Sequence, residues 1–320
     1  MKRLSPLGPV LATVLTGLAA TSVQAQSSVT IYGRFNATIE RQKLDGGETR
    51  TVLQNNASRI GFKGTEDMGG GLKAGFQLEH GFNVDTGVPT QGANFWARQS
   101  EVNLSGNFGM IRLGNFTSEA YYATADYISN HNHDTGTSSD AFYAYLGRDV
   151  NKVAYRLPAL GPVTVEAAMS LHEQTSGGKN TFDLAANYQQ GPLHLGAGYQ
   201  KNDKQNQFAV RVFYELGDFG LGAYYQRDED GFGAGLGKRN NIRLSGMYTL
   251  GLSEFHLNFG RAGDYSNTPG ENTSARQMTA GYNYKLSKRT KVYGFYTKVD
   301  DKGSLYGDFS SFAVGVRHNF

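Results

Sequence analysis

Apolar and polar residues change places at every second position over long stretches of this 320-residue chain. Phe208, Val210, Val212 and Tyr214 fall on one side of an extended segment, with Ala209, Arg211, Phe213 and Glu215 on the other. Ala280, Tyr282 and Tyr284 alternate with Gly281, Asn283 and Lys285, and Phe255, Leu257 and Phe259 bracket His256 and Asn258. The chain closes with Phe312, Val314, Val316, His318 and Phe320 opposing Ala313, Gly315, Arg317 and Asn319. Period two is the mark of a β-strand with two different faces. A soluble β-sandwich shows it too, but with a filled core and shorter strands of ~5–6 residues.

The connections separate the two readings. Short turns are legible at residues 66–71, 105–109, 159–162, 190–192, 216–218, 250–253 and 287–289, each supplied with Gly, Asn, Asp, Pro or Ser. Between the hairpins that these seven turns make, and between them and the first and last strands, lie longer polar stretches, eight in all. With both termini on the turn side, seven turns and eight loops require sixteen strands. An even number of strands, short turns at one end and long loops at the other is the bacterial outer-membrane plan. Lipid offers no hydrogen bonds to a free strand edge, so the sheet must close on itself. Sixteen strands then surround more space than side chains can fill. The prediction is an all-β fold, a 16-stranded antiparallel transmembrane β-barrel with short periplasmic turns, long extracellular loops and a wet lumen.

Composition agrees where it bears on this. There are 42 glycines, about twice the usual share of ~7 %, and 19 each of Tyr and Phe against 7 Pro. That balance suits long paired strands. No cysteine is present, so hydrogen bonding and packing must hold the fold without disulfides. The formal net charge of +3 gives no footprint for nucleic acid. Residues 1–25 read as a signal peptide: Lys2 and Arg3 precede an apolar run from Leu7 to Ala20, and Val23-Gln24-Ala25 supplies the small residues for cleavage after Ala25. Pro9 and the shortness of the run argue against a spanning helix. Residues 26–320 would form the barrel.

Local sequences resemble those of the Gram-negative general porins. Ser28-Val29-Thr30-Ile31-Tyr32-Gly33-Arg34 is similar to their first strand, and Ser58 through Lys73 to their second strand and first turn. Leu104-Ser105-Gly106-Asn107-Phe108-Gly109, Arg112-Leu113-Gly114 and the terminal Val316-Arg317-His318-Asn319-Phe320 fit the same family, above all its beta-proteobacterial branch. The resemblance implies a homotrimer in the outer membrane, in contact with lipid and lipopolysaccharide, passing small hydrophilic solutes and ions without cofactor or energy coupling. It also implies that the third loop, here about Thr117 to Gly147, folds into the lumen, and that Phe320 is read by the barrel-assembly machinery.

The same resemblance sets a basic wall, Arg34, Arg59, Lys63, Arg98 and Arg148, against an acidic loop side, Glu119, Asp126, Asp134 and Asp140. The loop lacks the Pro-Glu-Phe-Gly-Gly signature of the enteric branch. Alternation tests the basic set. Ile60, Phe62 and Gly64 take the outward phase, which turns Arg59 and Lys63 inward. Arg34 and Arg112 oppose apolar neighbours and also point in. Val153, Tyr155 and Leu157 turn Lys152 and Arg156 inward, and Arg148 with them if the phase runs that far. Arg98 shares its phase with Val102 and Leu104, so only a bulge would bring it into the lumen. Cations facing carboxylates across a narrow passage make a transverse field that low-dielectric walls focus. The basic excess predicts a weak preference for anions. Tyr199, Tyr214, Tyr225, Tyr248, Tyr282 and Tyr284 read as interfacial girdle residues.

Enzyme chemistry finds little support. His131-Asn132-His133-Asp134 lacks a third histidine nearby and reads as a solvated loop rather than a metal site. Gly231 to Gly237 lacks the Lys-Ser/Thr ending of a phosphate loop. The rival readings are a substrate-specific channel with saturable binding, and a barrel hydrolase with Ser/His or Asp/His pairs at its mouth.

Overall fold

A computed structural model of the chain describes residues 28–92, 94–128, 136–173, 177–303 and 305–320. The expected leader and its cleavage site after Ala25 lie outside the described residues. Seventeen β segments form one antiparallel sheet. They are β1 (Ser28–Leu44), β2 (Thr49–Asn55), β3 (Arg59–Gly69), β4 (Leu72–Gly81), β5 (Gln99–Gly106) and β6 (Gly109–Asn115). After a long connection come β7 (Lys152–Arg156), β8 (Val163–Ser170), β9 (Thr181–Gln190), β10 (Leu193–Asn202), β11 (Gln205–Leu216) and β12 (Phe219–Glu229). The last five are β13 (Lys238–Leu250), β14 (Ser253–Ala262), β15 (Ala275–Lys285), β16 (Thr290–Asp301) and β17 (Phe309–Asn319).

Sequence neighbours pair along the sheet, and β17 returns to β1 from Arg34↔Asn319 to Leu44↔Phe309. The seam is completed by two backbone hydrogen bonds of 3.1 Å between Gly33 and Phe320. A side chain at position 33 would collide with the Phe320 ring, which lies over that glycine. β2 and β3 are two halves of one stave, since β1 pairs with β2 over Ala37–Lys43 and with β3 over Ser28–Arg34. The stave breaks at residues 56–58, where Ala57 adopts φ of +57°. Sixteen staves therefore close a barrel with no free edge.

All seven turns fall where the sequence places them, and both described termini lie at that end. Gly217 and Gly251, with φ of +58° and +60°, open two-residue turns that other residues would enter only under strain. The eight connections at the other end are unequal. Those after β1 and β10 are tight, spanning only residues 45–48 and 203–204, because β1 and β10 carry their pairing right up to the reversal.

The faces are inverted relative to a soluble protein. Ile31, Ile39, Leu257 and Phe312 point outward and are 60, 58, 57 and 59 % exposed, while Asn36, Thr38, Glu40 and Gln42 point inward and are buried. An apolar band of this extent needs an apolar solvent. Near the turn end Phe219, Tyr248, Phe255 and Tyr282 stand side by side on β12 to β15, with ring centroids 4.6, 6.5 and 5.2 Å apart. No helix among the described residues is long and apolar enough to cross a membrane; the strands do so instead.

Candidate functional site

In the connection between β6 and β7, the described residues 116–128 and 136–151 fold inward and line one side of the lumen. It begins with two short helices, α1 (Glu119–Ala123) and α2 (Ala125–Ile128). Ser118 caps α1 by accepting from the Ala120 and Tyr121 amides. The outgoing leg runs past β9 to β13: Ala120 N–H donates to Asp183, Arg211 donates to the Ala123 carbonyl at 2.8 Å, and Ser245 donates to the Ile128 carbonyl. At its far reach Thr137 donates to Glu40 of β1 at 2.7 Å. The returning leg is read by inward glutamines. Gln277 bridges Ser139 and Ala141, Gln226 makes both bonds to the Ala144 backbone at 2.9 and 3.1 Å, and Gln200 accepts from the Leu146 amide at 3.0 Å. Gln200, Gln207 and Gln226 also bond to one another in a row across β10, β11 and β12. An enclosed loop must have its backbone groups paired, and this ladder pairs them. Ala125, Ile128, Tyr143, Ala209, Phe213 and Tyr224 form the apolar seat beneath it.

The acidic residues expected on this loop separate. Glu119 faces β7, where its carboxylate pairs with Arg156 at 2.9 Å and lies 3.9 Å from Arg112. Burial pushes the Glu119 carboxyl above the ordinary carboxylate range, against the pull of Arg156. Asp126 is partly buried on α2. Asp140 does not face the passage: Arg243 pairs with it at 2.8 Å, Tyr224 donates to it, and it accepts from the Phe142 amide at 2.9 Å. It anchors the loop to the wall. Asp134, with the His131 to Asp134 motif, lies outside the described residues.

The basic residues expected at the constriction lie on the wall or at its outer rim. Arg34 and Arg59 are direct cross-strand partners and share the inward face. Lys63 is two residues along β3 on that face, its ammonium 5.3 Å from the centre of the Tyr32 ring. Arg98 also enters the lumen, contrary to its phase, because it lies in the bend before β5 starts at Gln99. Its stem crosses Gly81, where a side chain would block it, and its Nε reaches Glu79 at 2.6 Å. Glu79 lies 3.6 Å from Arg59 and accepts from the Tyr32 hydroxyl at 3.0 Å. Arg148 lies before β7, outside any strand. Asn151 takes φ of +54°, which breaks the alternation before β7, and the Arg148 guanidinium donates to the Leu171 carbonyl of the next outer loop.

Beside the loop's root stands a buried charge network. Arg112 forks between Glu101, at 2.7 and 3.0 Å, and Glu166, at 2.9 Å. Arg156 joins it through Glu166 at 2.8 Å, and Lys152 donates to the Phe116 carbonyl at 2.9 Å. These three cations hold the loop's root and the wall together, rather than facing the passage bare. Motif and alternation assign no site role to the network's acids Glu101 and Glu166, nor to Glu79, Arg211, Arg239, Arg243, Lys285, Lys291, Arg317 and the glutamine ladder, although Arg211, Lys285 and Arg317 already fall on the polar faces of their strands. The signal was present: each takes the inward phase of its strand, as Arg211 does between Val210 and Val212 and Arg243 between Ile242 and Leu244.

Exposure locates the passage. Gln200, Gln207, Gln226, Arg239 and Arg243, beneath or beside the loop, are fully buried, whereas Lys63 is exposed and Arg34, Arg59, Arg98, Lys291 and Arg317 are partly exposed. Water therefore runs between the folded loop and the wall of β3, β4, β17 and the turn-side halves of β1 and β16, whose loop-side halves meet the inward loop.

Comparison with known proteins agrees with this architecture. A family model described as Gram-negative porin matches residues 11–304. Outer membrane porin protein 32 of Delftia acidovorans is 29 % identical, with 86 % of this chain and 85 % of that one aligned. The major outer membrane protein P.IA of Neisseria meningitidis is 26 % identical over 95 % and 98 % of the two chains. Among solved structures, the anion-selective porin from Comamonas acidovorans superposes with a TM-score of 0.76 at 26 % identity, covering 92 % of this chain and all of that one. The trimer form of OmpT of Vibrio cholerae shares the fold, with a TM-score of 0.70 at 17 % identity over 92 % and 99 % of the chains.

Proposed function

The chain belongs to the Gram-negative porin family, and from that premise we propose that its passage favours small anions over cations, weakly, in a homotrimer. It is an outer-membrane channel of a Gram-negative bacterium, a closed barrel through which ions and small hydrophilic solutes diffuse passively. The selectivity reading rests on one observation: Arg34 and Arg59 sit directly opposite each other on the inward wall, with Lys63 two residues along the same strand and Arg98 sharing Glu79 with Arg59. The loop opposite brings Glu119 already engaged by Arg156 and Asp140 by Arg243. An anion entering thus meets four cations gathered on one wall. The anion-selective Comamonas porin supports the sign, and the trimeric Vibrio protein the assembly.

Further parts of the reading follow the family resemblance. The leader is removed after Ala25, lipopolysaccharide and lipid surround the barrel, and Phe320 is recognised by the barrel-assembly machinery. The matched family consists of channels, and the reading assigns this chain no catalysis. The test is the zero-current potential of the purified protein in a planar bilayer under a potassium chloride gradient. Wild type should give a potential of anion-preferring sign. Replacing Arg34 and Arg59 together with Ala should move it towards cations, and Arg148→Ala should leave it unchanged. A double variant as anion-preferring as wild type would overturn the reading.

A further inference from the structure

The basic face does not end at Arg34. On β15, β16 and β17 the residues Lys285, Lys291 and Arg317 occupy one register row: Lys285 pairs across the strands with Lys291, and Lys291 with Arg317. All three take the inward phase, at the turn end of the lumen, below Tyr293 and Phe295. Neighbouring strands are ~4.8 Å apart, so three cations stand within about 10 Å of one another. Like charges placed directly opposite destabilise a sheet, a cost that a bound anion would offset.

We infer that this row is a binding site for polyvalent, phosphate-bearing anions at the turn-side mouth of the channel. Its centre is Lys291, which makes no ion pair among the described residues. The surroundings are graded in charge. Glu254 binds Lys285 at 2.7 Å on the far edge, and Asn319 accepts from Arg317 and Arg34, both at 3.3 Å, on the near one. Between them lies a recess of about 410 Å³ with Lys288 and Arg289 of the turn at its rim. A monovalent ion can satisfy one such ammonium at a time. An anion with several charged oxygens engages adjacent strands together, through charge-assisted hydrogen bonds stronger than neutral ones. Barrel closure brings the row next to the Arg34–Arg59 pair, so the bound anion would lie at the end of the basic path through the passage.

The inference depends on the pore reading only for the route by which the anion arrives, and equilibrium binding tests it without any current. Inorganic pyrophosphate is titrated into the folded protein in detergent at constant ionic strength, with the heat recorded. One saturable site per chain is expected. Lys291→Met should weaken it roughly tenfold or more, and Glu254→Gln, which releases Lys285, should tighten it. Circular dichroism of each variant reports whether the barrel is intact. No saturable heat from wild type, or equal affinity in an intact Lys291→Met barrel, overturns the site. A conducting channel that binds no pyrophosphate sinks this inference alone. Binding by a barrel that carries no current supports the site and sinks the pore reading.

Discussion

Arg112 shows how much one lumen residue is asked to do. Its guanidinium is 9 % exposed and divides between Glu101 and Glu166, themselves 5 and 2 % exposed, with Glu119 at the edge. Removing one member of a buried charge network leaves the others desolvated and unpaired, a loss of about 3–5 kcal/mol. Arg112→Leu should therefore lower the denaturant midpoint by a corresponding amount, and a midpoint near wild type would mean that water already solvates the cluster. Glu119 carries a second prediction, on pH. Because burial raises its carboxyl, it takes up a proton at a higher pH than an ordinary carboxylate. Acidification from neutrality then removes one negative charge beside Arg156, and the anion-to-cation permeability ratio should rise over that interval. In Glu119→Gln the rise should vanish, which zero-current potentials measured against pH would reveal.

At the scale of the element, the inward loop is held by side chains of the wall more than by its own secondary structure. Its helices span only five and four residues, too short to be stable alone. Gln226 supplies both partners of the Ala144 backbone. Gln226→Leu would strand a buried N–H and a buried C=O, at about 1–3 kcal/mol each, so the returning leg should detach. A larger and noisier single-channel conductance is expected, and protease should cut within residues 139–146. The strands were legible from sequence because period two reports which face each residue takes. The loop was not. Its conformation depends on Gln200, Gln226 and Gln277 far along the chain, and nothing local distinguishes a glutamine that reads a backbone from one that is merely wetted. Arg98 and Arg148 mark the same limit. Alternation places a side chain only while the strand lasts, and both arginines lie just outside one, where a bend or the positive φ of Asn151 decides.

For the whole molecule, turn count and two-faced strands led to a closed barrel because lipid forbids an open edge, an argument that needs no tertiary detail. What they did not give is the distribution of charge around the ring, since that depends on which staves meet. The seam between β1 and β17 joins Lys285, Lys291 and Arg317 near one end of the chain to Arg34 and Arg59 near the other, producing a basic face continuous across the seam. The inward loop lies mainly against β9 to β13, where its contacts consume Asp140 and Arg243 alike, and reaches β15 through Gln277 and β1 through Glu40. The field in the passage is thus one-sided, and it acts on ions through water rather than through a tight coordination shell. Such a field reaches ~10 Å at 0.1 M salt but only ~3 Å at 1 M. Anion preference should accordingly be clear in dilute potassium chloride and fade as the mean concentration approaches 1 M. Zero-current potentials taken at a fixed concentration ratio check this, and a preference that survives undiminished at high salt would require direct contact between ion and arginine instead.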